Sequence, residues 1–98
     1  MTDLCNEIEA LGKGIGNAAR YRILEALMKG PKTVGEITKA VKMSQPSVSQ
    51  GLKVLKSSNL VSDERQGQEV YYSINVSYMA HILQTLTKDI QKGGKKKQ

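Results

Sequence analysis

The stretch from Thr33 to Leu55, TVGEITKAVKMSQPSVSQGLKVL, encodes two short helices with almost nothing between them. Thr33-Val34-Gly35-Glu36 has the form of a capping box, in which Thr33 and Glu36 each satisfy the other's free backbone N–H. A helix begun there turns Val34, Ile37 and Val41 inward. Only Lys42 and Met43 separate it from Ser44, a residue suited to cap a second helix. Pro46 then falls in the first turn, where its missing N–H costs no helical bond. Met43 and Val48 occupy the two ends of a hydrophobic staple, and Val48, Leu52 and Leu55 form the inner face.

Upstream, Leu4, Ile8, Leu11 and Ile15 make one stripe of an amphipathic helix over residues 3–15, loosened at its end by Gly12, Gly14 and Gly16. Asn17 is placed to cap a further helix that buries Ile23, Leu24, Leu27 and Met28 and stops at Gly30-Pro31. Downstream of Asn59 the period changes from helical to alternating. Leu60 to Arg65 and Glu69 to Ile74 read as strands, with Val70, Tyr72 and Ile74 on one face. Gln66-Gly67-Gln68 is the expected turn, Gly67 supplying a positive φ. A last helix from near Ser77 carries Met79, Ile82, Leu83, Leu86 and Ile90. No internal repeat is present.

This order predicts a mostly α fold with a small β-hairpin, a winged helix–turn–helix of five helices and a two-stranded wing. Residues 1–92 are expected to form one DNA-binding and dimerisation domain, and residues 93–98 a flexible basic tail. The tail lysines, Lys95 to Lys97, read either as a mobile anchor or as a solubilising end.

A chain of 98 residues has room for one modest core. No apolar run approaches the roughly 20 residues needed to span a bilayer, and Met1-Thr2-Asp3 lacks the basic and apolar parts of a signal peptide. A cytoplasmic protein with no membrane partner is expected. Cys5 stands alone, which excludes an internal disulfide and fits a reducing compartment; a Cys5–Cys5 bond between subunits stays open. The net charge of +6 is uneven, with Lys29, Lys32, Lys39, Lys42, Lys53 and Lys56 opposed by Glu36 alone over residues 29–56. Such a concentration suits a polyanion, most simply nucleic acid.

With these residues in register, the sequence resembles the ArsR/SmtB family of repressors. The likeness runs through Ile15-Gly16-Asn17, Arg20, Ile23-Leu24, Val34-Gly35-Glu36-Ile37 and Ser44 to Leu55. It closes with Asn59-Leu60-Val61 and Gln66 to Ile74. The resemblance implies a dimer built from the first and last helices, binding an inverted-repeat operator in double-stranded DNA and blocking transcription. The residues agree on the dimer. The stripes Leu4, Ile8, Leu11 and Met79, Ile82, Leu83, Leu86, Ile90 exceed what so small a core covers, unless part folds back within the monomer.

The second helix of the motif is expected to enter the major groove. Ser44, Gln45, Ser47, Ser49, Gln50 and Lys53 are its candidate contacts, since Gln pairs with adenine, Ser bonds bases or phosphates and Lys neutralises phosphate. Gly51 is a departure, because relatives often carry histidine there; on this reading one direct contact is lost. In the wing, Arg65 is the candidate for phosphate or minor groove, with Gln66 and Gln68 at the tip. Many relatives carry arginine where Gln68 stands, so a weaker grip is expected.

No metal and no cofactor are expected. The family's cysteine pair on the third helix would fall at Thr33 and Gly35. Its last-helix ligands would fall near Val76, Tyr78, Asp89 and Lys92. His81 and Cys5 make no metal site within one chain. Gly12-Lys13-Gly14-Ile15-Gly16 lacks the preceding strand and spacing of a phosphate loop, and one histidine assembles no catalytic triad, so no enzyme is expected. The sequence specifies no effector. Two other readings stay open: an RNA or single-strand binder, for which four tyrosines without Phe or Trp make a poor stacking platform, and a winged helix used for protein contacts.

Overall fold

A computed structural model of the chain describes residues 16–96, together with Asn6, Glu9, Leu11 and Gly12. The elements run α1 (Ala18–Leu27), α2 (Val34–Val41), α3 (Gln45–Ser57), β1 (Val61–Gln66), β2 (Glu69–Ile74) and α4 (Val76–Lys96). The described residues thus hold four such helices where five are expected. Asn6, Glu9, Leu11 and Gly12 are helical, but Leu4, Cys5, Ile8 and Ile15 lie outside the described residues.

Side chains close each helix start. Asn17 Oδ1 accepts from the Arg20 N–H at 3.0 Å. In the capping box, the Glu36 N–H donates to Thr33 Oγ1 at 3.2 Å and the Thr33 N–H to Glu36 Oε1 at 2.9 Å. Ser44 Oγ accepts from the Ser47 N–H at 3.3 Å. α4 starts slightly earlier than the expected position near Ser77, because Asn75 Oδ1 accepts from the Tyr78 N–H at 3.2 Å. Two ends use the left-handed region: Lys42 (φ 57) closes α2 and Asn59 (φ 64) follows α3. The Leu60 N–H then donates back to the Leu55 carbonyl at 2.9 Å.

Ile23, Leu24, Leu27, Ile37, Val48, Leu52, Leu55, Leu60 and Val61 form one buried cluster. Leu11, Val34, Val41, Met43, Tyr72, Ile74, Tyr78 and Met79 pack against it. Met28, expected inward, is 61% exposed. Ala26 is buried instead, which swings the inner stripe of α1 away from Met28 at about 100° per residue.

β1 and β2 pair antiparallel from Val61↔Ile74 to Gln66↔Glu69. Gln66 therefore belongs to the ladder, and the turn shrinks from the expected three residues to Gly67-Gln68. Positive φ at Gly67 (φ 66) alone is the sign pattern of a type II′ turn. The hairpin is anchored at its base. The Lys32 N–H donates to the Tyr72 carbonyl at 3.0 Å and the Tyr72 N–H to the Lys32 carbonyl at 2.8 Å.

In α4, Ile82 is 1% exposed and Met79 packs against the core. Ile82, expected at a subunit interface, is spent inside the single chain, because it lies one turn from Tyr78 and Met79 on the same inner face. The expected break at Gly93 is also absent: the helix runs to Lys96. Continuing a helix already formed avoids the cost of a new nucleus, so Gly93 and Gly94, each about 1 kcal/mol less favourable than alanine, weaken this last turn without ending it. Lys97 and Gln98 lie outside the described residues.

Candidate nucleic-acid interface

At about 100° per residue, α3 divides into four sides. Val48, Gly51, Leu52 and Leu55 are buried. Opposite them stand Pro46, Gln50, Lys53 and Ser57, all exposed. Gln45, Ser49 and Lys56 share a third side, which faces the wing, since Lys56 Nζ lies 2.8 Å from Asp63 Oδ2. Ser47 and Val54 share the fourth, toward α1.

Ser44, Gln45, Ser47, Ser49, Gln50 and Lys53 are therefore all exposed along one helix, but their chemistry differs. The Ser44 hydroxyl accepts from the Ser47 N–H and donates to Ser47 Oγ at 2.9 Å. Its proton is thus committed to the cap, while Ser47 keeps one to donate. Gln50 and Lys53 point straight away from the core. The N-terminus of α3 adds the partial positive charge of the helix dipole to this end.

Asn17, which caps α1, and Arg20 within it share with Ser47 and Gln50 an open notch of about 430 Å³. Sequence reasoning assigns Arg20 no role here, because only the packing of α1 on α3 puts it beside them. Gly51 lies on the wall of this notch. A β-carbon there would point at Ile23 Cδ1, 2.6 Å away. A side chain at position 51 would thus start toward the α1–α3 seam and not toward the outer face of Gln50 and Lys53.

Among the described residues, two groups of cations stand out. Lys53 and Lys56 belong to α3, whereas Arg22, Lys29, Lys32 and Lys42 border a cleft of about 470 Å³ between α1 and α2. The wing itself is acidic. Residues 61–74 carry Asp63, Glu64 and Glu69 against Arg65, three negative charges and one positive. Arg65, Gln66 and Gln68 are exposed, and Arg65 Nε donates to the Gly67 carbonyl at 3.3 Å, which folds the guanidinium over the turn.

α4 presents an apolar seam. Val76 is 70% exposed, Leu83 60%, Leu86 38% and Ile90 65%. With Met79 they follow the alternating spacing of three and four that suits one helix against another. Val76 was missed in the sequence because the helix was expected to start after it. Among the described residues, no helix is long and apolar enough to cross a membrane, and no three His, Cys, Asp or Glu side chains are grouped to hold a metal ion.

The family profile described as bacterial regulatory protein, arsR family, matches residues 17–63. The transcriptional repressor SdpR of Bacillus subtilis is 36% identical over 81 residues, covering 83% of this chain and 90% of SdpR. The HTH-type transcriptional repressor SmtB of Mycobacterium tuberculosis is 35% identical over 71 residues, covering 72% of this chain and 53% of SmtB. Among solved structures, the homodimeric winged helix–turn–helix DNA-binding domain Mb0332 of Mycobacterium bovis has a TM-score of 0.71 at 28% identity, over 95% of this chain and 93% of that one. NolR of Sinorhizobium fredii has a TM-score of 0.69 at 32% identity, over 86% of this chain and 84% of that one.

Proposed function

Because this chain belongs to the arsR family of bacterial regulatory proteins, we propose that it is a homodimeric repressor that reads an inverted-repeat operator in double-stranded DNA. The observation that carries the reading is the outer face of α3, where Gln50 and Lys53 stand exposed on a helix whose opposite face is buried to the last side chain. In this scheme α3 enters the major groove by its N-terminal half. Gln50 and Ser47 reach base edges, Lys53 a phosphate, and Gln45 and Ser49 the flank nearest the wing. Ser44 supports them as a cap. Arg65, Gln66 and Gln68 touch the flanking backbone or minor groove.

The dimer is formed by the seam Val76, Leu83, Leu86 and Ile90, with Leu4, Ile8 and Leu11 contributing from the N-terminal segment. Leaving four large apolar side chains in water is costly, and a two-fold copy of the same seam covers them. Mb0332, a homodimer of similar fold, supports a dimeric state. The protein works in the cytoplasm, carries no cofactor or metal and catalyses no reaction.

Competition binding tests the reading. A labelled duplex should be displaced by unlabelled duplex and far less by single-stranded DNA or RNA. Equal displacement by single strands would replace it with a single-strand binder.

A further inference from the structure

The Lys56 ammonium lies 2.8 Å from Asp63 Oδ2, joining the last turn of α3 to β1. The carboxylate raises the Lys56 pKa, chiefly through this hydrogen bond and then through its charge, so the lysine is fully cationic wherever DNA is intact. An exposed pair of this kind adds little to stability. Its consequence lies in where the charge is kept.

Lys56 follows Lys53 by three residues, so the two are neighbours on the helix surface. Lys53 points outward. Lys56, with a chain of the same length, is drawn sideways onto the wing. The two partners are unequal in freedom. Asp63 has a short side chain on β1, and its cross-strand partner Tyr72 is bonded on the other side to Lys32. The carboxylate therefore sits on a two-stranded hairpin that the Lys32–Tyr72 bridge ties to the body, and is 28% exposed, while the lysine, on a longer and more flexible side chain, is 55% exposed.

Phosphate contacts are blind to sequence, and each adds about 0.9 to the slope of log affinity against log salt. We propose that Asp63 is a positioning residue that, by holding Lys56 on the wing, withholds one phosphate-seeking cation per protomer from duplex DNA of any sequence. Asp63 touches no DNA in this scheme and acts only through Lys56. The effect is a brake on sequence-independent binding, which matters because non-specific sites vastly outnumber operators. The proposal rests on α3 being the DNA-facing helix.

The test follows binding of the full chain to a random-sequence duplex by anisotropy across a salt series. Asp63→Asn should raise affinity about five- to ten-fold per protomer at roughly 0.1 M salt and steepen the slope by about one per protomer. Lys56→Gln alone should leave the slope unchanged, because the cation is already withheld, and lower affinity only slightly through the carboxylate left unpaired; Asp63→Asn with Lys56→Gln should return to the wild-type line. If Lys56→Gln flattens the wild-type slope, Lys56 already binds phosphate and the proposal is overturned. It is equally overturned if a folded Asp63→Asn protein binds no more tightly than wild type, which would make the pair a wing anchor only. Failure of the wild type to bind duplex at any salt would instead remove the DNA-binding reading itself.

Discussion

A β-carbon on Gly51 would stand 2.6 Å from Ile23 Cδ1 and 3.7 Å from Arg20 Cγ. A side chain on position 51 therefore requires the Ile23 δ-methyl to turn aside, and Ile23 is wholly buried, so the move disturbs the core around it. Overpacking costs about 1–3 kcal/mol, while replacing a helical glycine by alanine returns about 1 kcal/mol. Gly51→Ala is expected to lose about 1 kcal/mol in denaturant unfolding, and Gly51→His considerably more, with no gain in DNA affinity. A stable Gly51→His protein that binds duplex more tightly would show that position 51 faces DNA after all.

Leu83 and Leu86 are exposed in the single chain, so replacing both by glutamate should disturb the association of subunits and spare the monomer fold. The wild type should sediment at twice 10.8 kDa at micromolar concentration. The double variant should sediment as a monomer, keep its helical signal and bind duplex much more weakly. A wild-type monomer with full DNA binding would contradict the dimer.

What was legible in the sequence was local chemistry. Asn17, Thr33 with Glu36, and Ser44 ahead of Pro46 announce helix starts because a cap is satisfied within three residues. Val48, Leu52 and Leu55 announce an inner face by spacing alone, and Gly67 announces its turn by the φ that the hairpin demands. Illegible were the relations between elements. The Lys32–Tyr72 bridge, the Lys56–Asp63 pair and Arg20 beside Gln50 each join residues that no periodicity connects. Ile82 and Leu83 look alike in a hydrophobic stripe, yet the pitch of α4 turns one in and the other out.

Readout should divide between Gln50 and Lys53. Gln50→Ala should cost about 1–3 kcal/mol on a selected operator and relax the preference at one position of each half-site. Lys53→Ala should weaken all duplexes alike and reduce the salt slope by about one. Unchanged affinity and base preference in Gln50→Ala would mean that α3 lies in the groove in another orientation.

Metal should not release this protein from DNA. Tight transition-metal binding needs three or four convergent ligands. Thr33 is committed to the α2 cap, Gly35 has no ligand atom, and His81 is exposed on α4. Zinc, nickel or copper(I) titrated into the protein–DNA complex should leave anisotropy unchanged. Stoichiometric binding with DNA release, abolished by Cys5→Ser or His81→Ala, would reveal a site shared between subunits.

The most direct test of a dimer reading duplex DNA through α3 is selection of bound sequences from a pool of random duplexes. Two α3 helices related by a two-fold axis require an inverted repeat, with half-site centres about one helical turn, or a multiple of it, apart. The predicted result is enrichment of one such repeat by the wild type, with Gln50→Ala losing the preference at the same position of both halves. Enrichment of nothing, or of a single unrepeated site bound by one subunit, would contradict the account.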